Sequence, residues 1–148
     1  MIKAQKKTPG QKNFEFQIEQ PSKKVSEGLQ IPQSSTVMHV SRVRTADNVP
    51  VILSDEYFPN NVKGLDYALE KFSDYPNWSI YDHFRQAGYE FQYAIVNIHA
   101  ESADSHMAKS LNVNEGTPLL GLEQAHFSHA YEKPLLFCLN IHNDRIMN

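Results

Sequence analysis

Arg42 and Arg44 stand two apart in the stretch VSRVRTA. If that stretch is a strand, both side chains leave one face, because side-chain direction repeats every second residue. Two adjacent guanidiniums can grip a phosphate or carboxylate through paired, charge-assisted hydrogen bonds. The same pair could equally sit on a solvated strand edge beside acids such as Asp55 or Glu56, and the residues alone leave both readings open. Ser79 carries a second anion-binding signature. It stands where a helix N-cap belongs, ahead of Asp82 and Phe84, with Gly88 as the stop. Free N–H groups in a first helical turn attract negative charge, yet an ordinary cap has the same sequence.

Other chemistry finds less support. The seven histidines raise the question of metal binding, and His126-Phe127-Ser128-His129 is their densest group. Ligands must converge on a metal, whereas strand alternation would aim His126 and His129 at opposite faces. No metal and no cofactor is expected. Gly-x-Ser-x-Gly elbows, phosphate loops of Gly-Lys-Ser type and dinucleotide glycine patterns are all missing from the sequence. Cys138 lies in an apolar run and reads as a packed small hydrophobe. The chain is not expected to be an enzyme.

The elements that must hold these residues follow from an internal similarity. The segment from Phe14 aligns without gaps over the segment from Val96. Phe14, Phe16 and Ile18 match Val96, Ile98 and Ala100 in the alternation of a half-buried strand. A short helix then opens at Ser22 in the first copy and at Ser102 in the second. Leu29 with Ile31 matches Leu111 with Val113. Second strands start at Thr36-Val37-Met38 and at Pro118-Leu119-Leu120. Third strands follow turns at Asp47-Asn48 and Glu132-Lys133, through Val49–Leu53 and Pro134–Phe137. Between the copies, Val62 to Phe72 has helical spacing, and the helix capped by Ser79 comes after it. This predicts an α+β fold: a duplicated β-α-β-β unit, one six-stranded, mainly antiparallel sheet, and helices packed on one face.

A chain of 148 residues with a hydrophobic fraction of 41% can bury one core unaided. Its net charge of −3 argues against broad binding along a phosphate backbone. One cysteine and no signal-like or membrane-length apolar run lead to the expectation of a cytoplasmic protein. Residues 1–13, polar and basic, read as a flexible linker remnant.

Ordered along the chain stand Arg42-Val43-Arg44, Ala46-Asp47-Asn48-Val49-Pro50, Glu56-Tyr57-Phe58-Pro59 and Trp78-Ser79-Ile80-Tyr81. Ala103 to Leu111, Val113, Gly116-Thr117-Pro118-Leu119-Leu120, Pro134, Asn140 and Asp144 complete the set. In this order, over residues 14–148, the chain resembles the UTRA domain, the effector-binding half of HutC-subfamily regulators in the GntR family of bacterial transcription factors. The resemblance implies a chorismate-lyase-like fold and a homodimer. It also implies a bound metabolite that alters operator binding by an attached winged helix-turn-helix domain. That domain would precede residue 1 and is absent here, as in an excised fragment.

In sugar-phosphate-sensing relatives the arginine pair and the helix-opening serine hold the phosphate, which implies that role for Arg42, Arg44 and Ser79. Relatives often carry glutamate where this chain has Ser54 and Leu136, and tyrosine where it has His142. Ser54 and His142 are therefore expected to line the same pocket, with fewer acceptors for sugar hydroxyls. The implied partner is a small anionic metabolite: a phosphorylated sugar, a phosphonate or a carboxylate. His142 would then make affinity change between about pH 6 and 7. Two alternatives are a chorismate-lyase-like enzyme and a pure dimerisation module with a vestigial pocket.

Overall fold

The computed structural model describes residues 7–63, 65, 79–129 and 131–143. The first unit is β1 (Pro9–Glu19), α1 (Lys23–Leu29), β2 (Val37–Ala46) and β3 (Val49–Pro59). Helix α2 (Ile80–Gln86) leads into the second unit, β4 (Phe91–Ser102), α3 (Ser105–Leu111), β5 (Pro118–Ser128) and β6 (Leu136–His142). The strands form one six-stranded sheet in the order β1-β2-β3-β6-β5-β4, and every neighbouring pair is antiparallel. The fold is α+β, as the duplicated unit requires.

The alignment of Phe14 over Val96 sets Lys23–Leu29 over Ser105–Leu111, which are the helices α1 and α3. Each is capped by a side chain that accepts from an amide in the first turn. Ser22 Oγ accepts from Val25 N at 3.3 Å, and Asp104 Oδ1 from Met107 N at 2.8 Å. The second cap is therefore Asp104 and not Ser102, which ends β4. Each helix closes on a left-handed residue, Gln30 (φ 57°) or Asn112 (φ 56°), which turns the chain back toward the sheet. Asp47 and Asn48, with φ of 50° and 67°, make the β2–β3 turn, and two positive φ values suit the twist of a hairpin. The two units join along β3 and β6, where Glu56 lies opposite Cys138. Val40 and its repeat equivalent Leu122 lie beside Glu56 and Asn140, so Glu56 and Asn140 hold equivalent places. The pseudo-twofold axis of the repeat passes between Asp55 and Leu139, which pair across the seam.

Two further expectations change. Strand β1 begins at Pro9, so residues 9–12, within the segment read as linker, pair with β2. Most of the helix expected over residues 62–72 lies outside the described residues. The helices also cover both faces of the sheet and not one. Ile80 and Phe84 of α2 pack on Met38, Val40, Phe58, Leu136 and Cys138. On the other face Val25 and Leu29 of α1 meet Val37 and Phe137, while Ala108 and Leu111 of α3 meet Val43 and Leu53. Consecutive buried residues such as Val37-Met38 and Arg42-Val43 are the signature of a strand covered twice. Gly28 lets α1 come this close, since a Cβ there would lie 2.5 Å from the Phe137 ring. No helix of the described residues is long and apolar enough to cross a membrane.

The α1/α3 face also holds a clamped imidazole. His39 Nδ1 lies 2.6 Å from Glu19 of β1 and Nε2 lies 2.7 Å from Asp55 of β3. Its ring stacks on Tyr57 at 4.2 Å between centroids. A carboxylate at each nitrogen requires both nitrogens to donate, which makes the ring an imidazolium. Burial lowers its pKa, but the hydrogen bonds and charges of Asp55 and then Glu19 outweigh burial and raise it above 6.5. A raised folded-state pKa stabilises fully below the unfolded value, and that stabilisation is lost as pH rises through the folded value. His39→Phe should therefore lower the urea midpoint clearly at about pH 5.5 and much less at about pH 9. An equal loss at both values would assign His39 a packing role alone.

Candidate functional site

The register of β2, β3 and β6 lays out the α2 face in rows. Arg42 lies beside Ser54, and Ser54 beside Asn140. In the row nearer the β2–β3 turn, Arg44 lies beside Ile52, and Ile52 beside His142. In the row on the other side, Val40 lies beside Glu56, and Glu56 beside Cys138. Because these residues alternate by two along each strand, all of them share one face. Arg42, Arg44, Ser54 and His142 thus come together on three adjacent strands.

The arginines differ in environment. Arg42 is only 1% exposed. Its Nε lies 3.4 Å from Glu56 Oε1, and its Nη1 donates to Gln11 Oε1 of β1 at 3.0 Å. The acidic partner is one the sequence offered, but the pair is buried beneath α2 and not on a solvated edge. Arg44 is half-buried. Burial lowers its pKa first, and the neighbouring charge of Arg42 lowers it further, while Glu56 and Asp82 pull the other way. Among the described residues Arg44 Nε has no hydrogen-bond acceptor and Asn140 Oδ1 no donor, while Glu56 Oε1 has the ion pair with Arg42 but no hydrogen bond.

Ser79 opens α2 above this face. Its N–H donates to Asp82 Oδ2 at 2.8 Å, and its Oγ accepts from Asp82 N at 3.3 Å. This reciprocal box occupies the amide and hydroxyl of Ser79 within the cap. Through it Ser79 fixes the first turn and sets Asp82 within electrostatic reach of Arg44.

The remaining groups are neutral near pH 7. Burial and then the charge of Arg44 lower the pKa of His142 from its ordinary value. His126, buried beside Tyr81 with Nε2 3.0 Å from the phenol oxygen, is pushed down to about 4 by burial. Burial raises the Tyr81 phenol far above its ordinary value, and it likewise keeps the Cys138 thiol protonated. A cleft of about 440 Å³ is lined in part by Tyr81, Arg85, Phe91 and His126. His129 is exposed beyond the end of β5, and no group of three metal-capable side chains stands among the described residues.

Glu56, Asn140, Tyr81 and Gln11 were not among the residues expected to line the site. A signal existed for two of them: Glu56 stands two residues from Ser54, and Asn140 two from His142, each polar within a buried strand. Gln11 lay in the segment read as linker. Tyr81 reaches the site only through helix packing.

Known proteins share this arrangement of elements. The effector domain of PhnF from Mycobacterium smegmatis superposes with a TM-score of 0.80 at 22% identity, over 97% of this chain and 86% of that one. A GntR-family transcriptional regulator from Bacillus cereus superposes at 0.74 with 18% identity, over 90% of each chain. YydK from Bacillus subtilis superposes at 0.77 with 16% identity, over 93% of this chain. The present chain spans 58% of YydK and 62% of a longer PhnF chain. No curated protein matches it. The model of the UTRA domain matches residues 4–146, nearly the whole sequence, and the chain belongs to the UTRA domain family.

Proposed function

We propose that this chain is the effector-sensing and dimerisation module of a HutC-type transcriptional repressor. In this reading it binds a small anionic metabolite, a phosphorylated sugar, a phosphonate or a carboxylate. Binding alters the DNA affinity of an attached winged-helix domain, and operator DNA is met only through that domain. The observation that carries the reading is Arg44. A half-buried guanidinium whose Nε has no acceptor among the described residues, in rows shared with Arg42, Ser54 and His142, is a cation prepared for an anion. Ser79 belongs to the proposed site as the cap that holds α2 over it.

The two arginines divide the work. Arg42 serves the fold, since its removal would leave the Glu56 carboxylate buried without its counter-charge; Arg44 serves the ligand. Dimerisation fits strand β4, an edge strand on which Val96 and Ile98 share the α2 face and Ile98 is 66% exposed. An exposed apolar edge strand is a ready surface for a second copy.

Two measurements test the proposal. A thermal-shift screen of sugar phosphates, phosphonates and carboxylates should find an anion that raises Tm, worth roughly 2.7 kcal/mol at a hundred times its Kd. Arg44→Ala should weaken that anion about ten- to a hundredfold with little change in the melting of the free chain. Arg42→Ala should instead destabilise the free chain by about 3–5 kcal/mol. The reading fails if Arg44→Ala leaves the affinity unchanged. For assembly, sedimentation should show a dimer at about ten micromolar or above, and Ile98→Lys should dissociate it; a monomeric wild-type chain under those conditions would remove dimerisation from the proposal.

A further inference from the structure

The charge and hydrogen-bond inventory of the α2 face restricts which anion can occupy it. Among the described residues the face carries two guanidiniums, Arg42 and Arg44, against one carboxylate, Glu56. Tyr81 and His126, facing the site from α2 and β5, and Cys138 and His142 from β6, contribute no charge at neutral pH. Asp82 at the α2 cap is held by Arg85, Nη1 to Oδ1 at 3.0 Å. Among the described residues the buried surplus is therefore a single positive charge. One negative charge from a ligand balances it, and a second would be buried without a counter-charge, which is costly in a low-dielectric site.

The groups without a hydrogen-bond partner among the described residues differ in kind. Arg44 Nε is a donor without an acceptor. Asn140 Oδ1 is an acceptor without a donor, and Glu56 Oε1 has only its 3.4 Å ion pair with Arg42 Nε. A bare anion satisfies Arg44 and presents only lone pairs to the other two. The pairing register sets Asn140 two strands from the arginines and in the row of Arg42, with Glu56 in the next row. A ligand anchored on Arg44 and directed across the strands would therefore meet the acceptors with its other end. We infer that the effector carries one net negative charge together with its own hydrogen-bond donor: a hydroxy- or amino-substituted carboxylate or phosphonate, and not a bare polyanion. This rests on the anion-sensing reading above and narrows it.

Matched probes test the inference on the 148-residue chain, by calorimetry or thermal shift at neutral pH. Lactate is compared with propionate, aminomethylphosphonate with methylphosphonate, and malonate serves as the dianion. The donor-bearing member of at least one pair should bind about tenfold tighter or more than its donor-free mate, and malonate should bind no better than propionate. The pair that shows the larger ratio tells hydroxyl from ammonium. Asn140→Ala should reduce the ratio while the free chain melts no lower, a combination that a purely structural asparagine would not give. Glu56→Gln, which raises the buried surplus by one charge, should move the preference toward malonate. If that variant does not fold, the wild-type ratios and Asn140→Ala still decide. Equal affinities within both pairs, or malonate binding tightest to the wild type, overturn the inference; if Arg44→Ala abolishes that binding, anion sensing itself survives. Absence of binding by every probe overturns both.

Discussion

A guanidinium shut away from water must be met by an opposing charge and by acceptors for its N–H groups. Arg42 imposes that requirement on the middle of the sheet. Glu56 of β3 supplies the charge and Gln11 of β1 supplies an acceptor, so three consecutive strands are tied around one side chain. The α2 face consequently changes character along the strands. At one end Met38, Phe58 and Leu136 form a dry cluster under Ile80 and Phe84. Toward the β2–β3 turn the rows become polar, and the capped start of α2 faces Arg44 instead of an apolar floor.

Histidine shows how local this patterning is. On the α1/α3 face, His39 sits between two carboxylates and is held as a cation. On the α2 face His142 has Arg44 as its charged neighbour and His126 has the Tyr81 phenol, and both are driven neutral. One residue type thus takes opposite charge states on opposite sides of a single sheet. The sheet separates a face that neutralises its cation internally from a face that keeps a positive surplus.

Much of this could be read from residue order, because the informative patterns are local. The gapless repeat placed the strand–helix–strand–strand units; Ser22 and Ser79 marked two helix starts, and Asp47-Asn48 marked a hairpin. The spacing of Arg42 and Arg44 put both on one face. What failed depends on packing or register. The placement of α1 and α3 opposite α2 is written only in the doubly buried pairs along β2 and β3, which alternation arguments pass over. Ser102 stood in for Asp104 because either side chain can cap, and only the end of β4 decides between them. Arg42 could not be told from a surface arginine until the β2–β3 register set Glu56 in the adjacent row. Asn140 acquired meaning only once β6 lay against β3.

The seam between the two units has a consequence of its own. Asp55 and Leu139 face one another across the pseudo-twofold axis, so two separate, identical half-chains joined along this strand would set like against like there. Two aspartates would then confront each other, or two leucines would leave His39 without one of its two carboxylates. Covalent linkage of the halves releases the position from that symmetry. Each side of the axis can carry a different residue, the aspartate can serve the histidine of one half only, and a scaffold built from two copies of one motif can differ in chemistry from one half to the other.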